Sequence, residues 1–283
     1  LCEMYMGKFP VISISLKGMN ADSYEKALEM AVQNVRGEAR RFQYLLDSDR
    51  LTSYDKEAFV ELLQKNMTEG TLCTSLKILS ELLEKHHSCK VILLIDEYDV
   101  PLAKAFERGY YDKMVLFIRN MLEHTLKTND SLKFSVLTGC MRISKESIFT
   151  GLNNLKVLTL TDVRFDEYFG FTDAEVRDML AYYDLSGRYE EVKEWYDGYR
   201  FGNVEVYCPW DVINYCDLLK ADSEAHPQDY WSNTSGNAMV RRFIDKADTR
   251  TRNEIEKLIS GEEIVKEIRQ ELTYSELDSS IEN

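Results

Sequence analysis

Residues 91–99 read VILLIDEYD, an aliphatic run that passes without interruption into Asp96 and Glu97. A short continuous apolar run of this kind marks a strand buried on both faces of a parallel sheet. In such sheets functional groups gather outside the carboxyl ends of the strands. An acidic pair at a strand tip suits phosphoryl transfer, because one carboxylate can hold Mg²⁺ and a second can orient or deprotonate an attacking water. Asp96 and Glu97 supply these groups in that order. The string also reads as a buried strand that ends in a solvated acidic turn, and by itself it leaves both readings open.

Upstream, residues 9–16 (FPVISISL) alternate and are rich in β-branched side chains, the pattern of a strand. Asp22 or Ser23 then caps a long amphipathic helix running toward Leu46, with Tyr24, Leu28, Ala31, Val32 and Val35 on one stripe. Helical periods recur over residues 55–65 and 72–86 before the acidic strand, and over 110–126 after it. Residues 132–137 (LKFSVL) form a third strand that ends at Thr138 and Gly139. Strands alternating with helices imply right-handed crossovers and a parallel α/β sheet. Thr138 would then bring a hydroxyl beside the acidic pair, and Arg142, four residues on, a guanidinium able to neutralise phosphate charge. A lone arginine is as readily a surface group.

Beyond about Thr161 the pattern changes to short helices with aromatic punctuation. TDAE at 172–175 is a capping box that opens a helix, and further helices are expected at 189–196, 210–219, 238–247 and 253–259, with a short strand at 204–207. Two domains follow: an α/β core over 1–161 and a mainly helical domain over 162–283.

With 35 Lys and Arg against 49 Asp and Glu, the net charge is −14, so most of the surface repels a polyanion and nucleic acid is disfavoured as a partner of this segment. Six cysteines occur without a CxxC pair, and four histidines share no ligand spacing with them, which argues for reduced thiols and against a structural zinc site. No apolar run is long enough to span a membrane, and the first residues carry no secretory signature, so the cytoplasm is the expected location.

The strings YMGKFPVISISLKG (5–18), KVILLIDEYDVPL (90–102), FSVLTGCMRISKESIFTGLNNL (134–155), YFGFTDAEV (168–176), EWYDGYRFG (194–202), VYCPWDVINY (206–215) and YWSNTSGN (230–237) resemble, in order, the blocks of the predicted AAA-ATPase-like family of bacterial proteins. That resemblance implies a P-loop ATPase core, followed in full-length members by a nuclease-like domain of the PD-(D/E)XK type. Carried onto this sequence, it makes Asp96 the Mg²⁺ and nucleotide-side carboxylate and Glu97 the catalytic base, with Asp99 in the same DEYD signature. The TG...R block falls on Thr138, Gly139 and Arg142. ATP and Mg²⁺ are the implied cofactors of the parent protein. The blocks around Trp195, Asp197, Gly198, Tyr199, Gly202, Pro209 and Trp210 match without an implied chemical role.

One element of the pattern departs. A P-loop needs G-x-x-x-x-G-K-[ST], whose amides cradle phosphate, and no such string occurs in the 283 residues. The expectation is a P-loop NTPase-like core that lacks its first βα unit, with the phosphate loop ahead of Leu1 and the nuclease-like domain after Asn283. Such a fragment would be inactive alone. The rival expectation is a non-catalytic interaction module on a vestigial ATPase fold, which binds a partner protein or a copy of itself.

Overall fold

The computed structural model describes residues 2–127, 129–140, 155–231, 241, 244–245 and 247–265. The chain divides into two units, Lys156–Ala247 and the remainder, Leu1–Leu155 with Asp248–Asn283.

The first unit is an α/β structure with a three-stranded parallel sheet, β1 (Val11–Ser15), β2 (Val91–Asp96) and β3 (Leu132–Leu137), in that spatial order. Its helices are α1 (Cys2–Tyr5), α2 (Tyr24–Arg40), α3 (Ser53–Leu62), α4 (Glu69–His87), α5 (Val100–Arg108) and α6 (Tyr111–Leu126). Ser23 caps α2 through a side-chain oxygen that accepts from the amide of Lys26. Ala27, Ala31, Val32, Val35 and Ala39 are the buried stripe, while Tyr24 and Leu28 are half-buried. The helix stops at Arg40, and a short 3₁₀ turn, Gln43–Asp47, completes the stretch read as one long helix.

Leu72, Leu76, Leu79 and Leu83 repeat along one side of α4 and are all at most 1% exposed. Burying each contributes about 1.5–3 kcal/mol. Ser88 ends that helix in the left-handed conformation, φ 56°. Lys85 sits in the last turn, where a cation complements the helix dipole.

Register fixes which side chains share a face. Ile12 pairs with Leu93, and Ile14 with Ile95, all 4% exposed or less, so this face is covered. On the other face Leu94 pairs with Val136 and Ile92 with Phe134. Leu94, Val136 and Phe134 are 36%, 44% and 37% exposed, which corrects the expectation of a strand buried on both sides. Tyr5 of α1 stands edge-on to Phe134, with ring centroids 5.4 Å apart.

Helix α5 has no counterpart in the sequence reading. Pro101 lies in its first turn, where a missing N–H costs no intrahelical bond, and Gly109 closes it at φ 80°.

The second unit holds β4 (Phe171–Thr172), α7 (Asp173–Tyr182), α8 (Tyr189–Tyr196), β5 (Asp197–Phe201), β6 (Val204–Tyr207) and α9 (Pro209–Ala221). The capping box at Thr172 and Glu175 is present. Where the sequence places one strand, three form an antiparallel sheet, β4-β6-β5. Asp197–Phe201 is largely polar and exposed, so it becomes a strand by pairing with β6 rather than by its own pattern. Val176, Leu180, Val192, Tyr207, Val212 and Tyr215 form the centre of its core. Most of the helix expected at 238–247 lies outside the described residues. Helix α10 (Thr249–Ile259) groups with the first unit. Among the described residues no helix is long and apolar enough to cross a membrane, and Cys73, Cys89, Cys140, Cys208 and Cys216 are free thiols.

Candidate functional site

The parallel order β1-β2-β3 brings three carboxyl ends to one edge of the sheet. Ser15, the last residue of β1, pairs with Asp96, the last of β2. Thr138 follows β3 directly. Its amide donates to the carbonyl of Ile95 at 2.9 Å, and its carbonyl accepts from the amide of Tyr98 at 3.1 Å. These bonds carry the ladder past the end of the strand and hold the Thr138 side chain beside Asp96. Its hydroxyl donates to Oδ1 of Asp96. Both residues are exposed.

Glu97 has φ 53°, a left-handed conformation that costs a non-glycine residue about 1 kcal/mol or more. That reversal lets Tyr98 turn back to Thr138. It also leaves the Glu97 side chain free to meet Lys17, whose Nζ lies 3.4 Å from its Oε1. Lys17 is 76% exposed and Glu97 28%, so the pair is solvent-screened and worth at most about 1 kcal/mol. Asp99, 4% exposed, precedes α5 at its N-cap position.

Cys140 lies two residues past Thr138. Burial is the main force pushing its thiol pKa up, followed by the charges of Asp99, Glu97 and Asp96, with Lys17 opposing. Three carboxylates therefore act on one point at the sheet edge. Carboxylate and hydroxyl oxygens are hard donors of the kind Mg²⁺ prefers. Among the described residues no group of three or more His, Cys, Asp or Glu is arranged to hold a metal by itself. The donor set fits an ion that takes one or two protein carboxylates and completes its shell with water and phosphate, which is the habit of Mg²⁺.

A family model described as "Predicted AAA-ATPase" matches residues 3–149. The chain belongs to the predicted AAA-ATPase family. The match covers all three strands of the parallel sheet together with Asp96, Glu97, Asp99 and Thr138, and it ends before the second unit. The chain is also 31% identical over 159 residues to a protein of Azotobacter chroococcum mcd 1 named "Uncharacterized protein in vnfD 5'region". That alignment takes in 54% of this chain and spans 29% of the relative's length. No solved structure matches the chain.

Of the residues expected at the ATPase-family site, the structure brings Asp96, Glu97 and Thr138 to one edge of the sheet. Arg142 lies outside the described residues. Lys17 joins them without having been singled out by the sequence, although it stands just past the first strand, where the strand-end rule points.

Proposed function

We propose that the first unit is part of the nucleotide-hydrolysing core of an AAA-type ATPase of P-loop class. The observation that carries this reading is the hydrogen-bonded pair Thr138 and Asp96 on neighbouring parallel strands, with Glu97 next to it. In this reading Asp96 faces Mg²⁺, and Thr138 fixes the orientation of its carboxylate. Glu97 accepts the proton of the water that attacks the terminal phosphate, leaving ADP and inorganic phosphate. The Lys17 ion pair tethers the Glu97 side chain until substrate arrives. Arg142 neutralises charge on the phosphate. Mg²⁺, when bound, neutralises phosphate charge and orients the leaving group.

The phosphate-gripping glycine-rich turn matches no stretch of these 283 residues. We assign it to a βα unit elsewhere in a longer polypeptide, as the 29% coverage of the relative supports. The two units of this chain are an ATPase-like core and an accessory domain, and the protein works in the cytoplasm.

The test is ATP turnover and binding by the full-length protein. Glu97→Gln keeps size and polarity but cannot accept a proton, so turnover should fall by about 100-fold or more with nucleotide affinity nearly unchanged. Asp96→Asn should instead raise the Mg²⁺ concentration needed for binding. Unchanged turnover in Glu97→Gln would remove the catalytic assignment. A full-length protein that neither binds nor hydrolyses ATP would establish the interaction-module reading.

A further inference from the structure

Three of the sequence blocks without a role meet in the second unit around a cavity of about 480 Å³. Its walls include Trp195 at the end of α8, Asp197 and Tyr199 on β5, Asp211 in the first turn of α9, and Asp229 and Trp231 in the segment that follows α9. Trp195, Tyr199 and Trp231 are 52%, 54% and 47% exposed. Large rings left open to solvent in one concave place mark a binding surface rather than a core.

The described lining of this cavity is acidic. Three aspartates line it, and no lysine or arginine does so among the described residues. Asp211 is only 9% exposed, and its Oδ1 accepts the amide of Tyr230 at 3.2 Å. No ion pair neutralises it among the described residues. A cation entering the cleft would meet three acidic side chains and no competing base among the described residues.

The shape of the cluster selects the cation. No three carboxylates, cysteines or histidines converge closely enough to hold a metal ion among the described residues. A planar cation fits better, since it can lie on an indole or phenol face while its N–H groups fork toward separate carboxylates. We propose that this cleft binds a guanidinium group, seated on the rings of Trp195, Tyr199 and Trp231 and held by Asp211 with Asp197 and Asp229. This site lies outside the family match and does not depend on the ATPase reading.

The experiment is calorimetric titration of the 283-residue protein with N-acetyl-arginine amide, an arginine-containing hexapeptide, agmatine and N-acetyl-lysine amide, with MgCl₂ as control. Saturable binding of a guanidinium compound is expected, at least fivefold tighter than the lysine amide. It should weaken at least tenfold in Trp195→Ala and in Asp211→Asn. Because Asp211 is buried, Asp229→Asn provides a second charge variant, checked for an unchanged circular dichroism spectrum. Tighter binding of the hexapeptide than of agmatine assigns the guanidinium to a protein partner, and the reverse order assigns it to a small molecule. The proposal is overturned if no guanidinium compound saturates, if the lysine amide or Mg²⁺ binds as tightly, or if folded variants bind as the parent does.

Discussion

A Cβ atom on Gly139 would lie 2.6 Å from Oδ1 of Asp99 and 2.8 Å from Cε1 of Tyr98. Both neighbours are buried, at 4% and 7% exposure, and Asp99 also accepts the amides of Leu102 and Ala103 through its carbonyl at the start of α5. The glycine is therefore a spacing requirement, which lets the end of β3 close on the acidic loop. Gly139→Ala should destabilise the first unit by about 1–3 kcal/mol, the usual cost of overpacking. The readout is the urea midpoint, with the slope m unchanged. Gly37, inside α2, is the control: a Cβ there would meet nothing within 4 Å, so Gly37→Ala should stabilise by about 0.5–1 kcal/mol.

Glu97 is held at φ 53° although it is not glycine. Strain of this kind persists only where the surrounding structure holds it in place. Glu97→Gly and Glu97→Ala both delete the Lys17 ion pair, but only glycine relieves the backbone. Glu97→Gly should be more stable than Glu97→Ala by about 1 kcal/mol in thermal unfolding. An alanine variant as stable as the glycine one would show that the conformation carries no strain.

Gripping phosphate demands a run of backbone amides and a lysine that this sequence does not spell as a P-loop. The 283-residue chain alone should bind Mg-ATP more weakly than about 1 mM, a binding free energy under about 4 kcal/mol. Titration calorimetry is the measurement. Micromolar affinity would place the nucleotide elsewhere than at the tip of β2.

Acid should weaken the second unit through Asp173. Hydrogen bonds from Tyr189, then Arg177 and Tyr207, hold its pKa at about 2 against an ordinary 3.8. The hydroxyls of Tyr189 and Tyr207 reach the same oxygen at 2.5 and 2.8 Å. A depressed folded-state pKa contributes stability above the unfolded value and loses it as pH falls from about 3.8 toward about 2. The side chain is 43% exposed, so the contribution is screened and under about 1 kcal/mol. Urea midpoints at pH 5 and pH 2.5 should differ less in Asp173→Asn than in the parent.

Local rules were legible where the residues themselves enforce them. The alternation of Ile12 and Ile14 gives β1, Ser23 starts α2, the aliphatic run gives β2, and Thr172 with Glu175 starts α7. Periodicity and capping act within a turn or two, so a single sequence displays them. Helix α5 escaped because Pro101 reads as a breaker until its first-turn place is known. Strand β5 escaped because Tyr199 and Arg200 gain their extended form only from Val206 and Glu205 across the hairpin.

The sequence by itself determined the strands around the acidic pair, the helices between them apart from α5, and the family blocks, since each rests on side chains near one another along the chain. Strand order already placed Thr138 beside the acidic pair, and the fold closes it onto Asp96 across 42 residues; tertiary structure alone decided that Lys17 faces Glu97 and that Glu97 turns left-handed. It also decided that Trp195, Asp211 and Trp231 share one cavity. These relations depend on sheet order and on packing between distant segments, and no local pattern encodes the loop closures that bring such segments together.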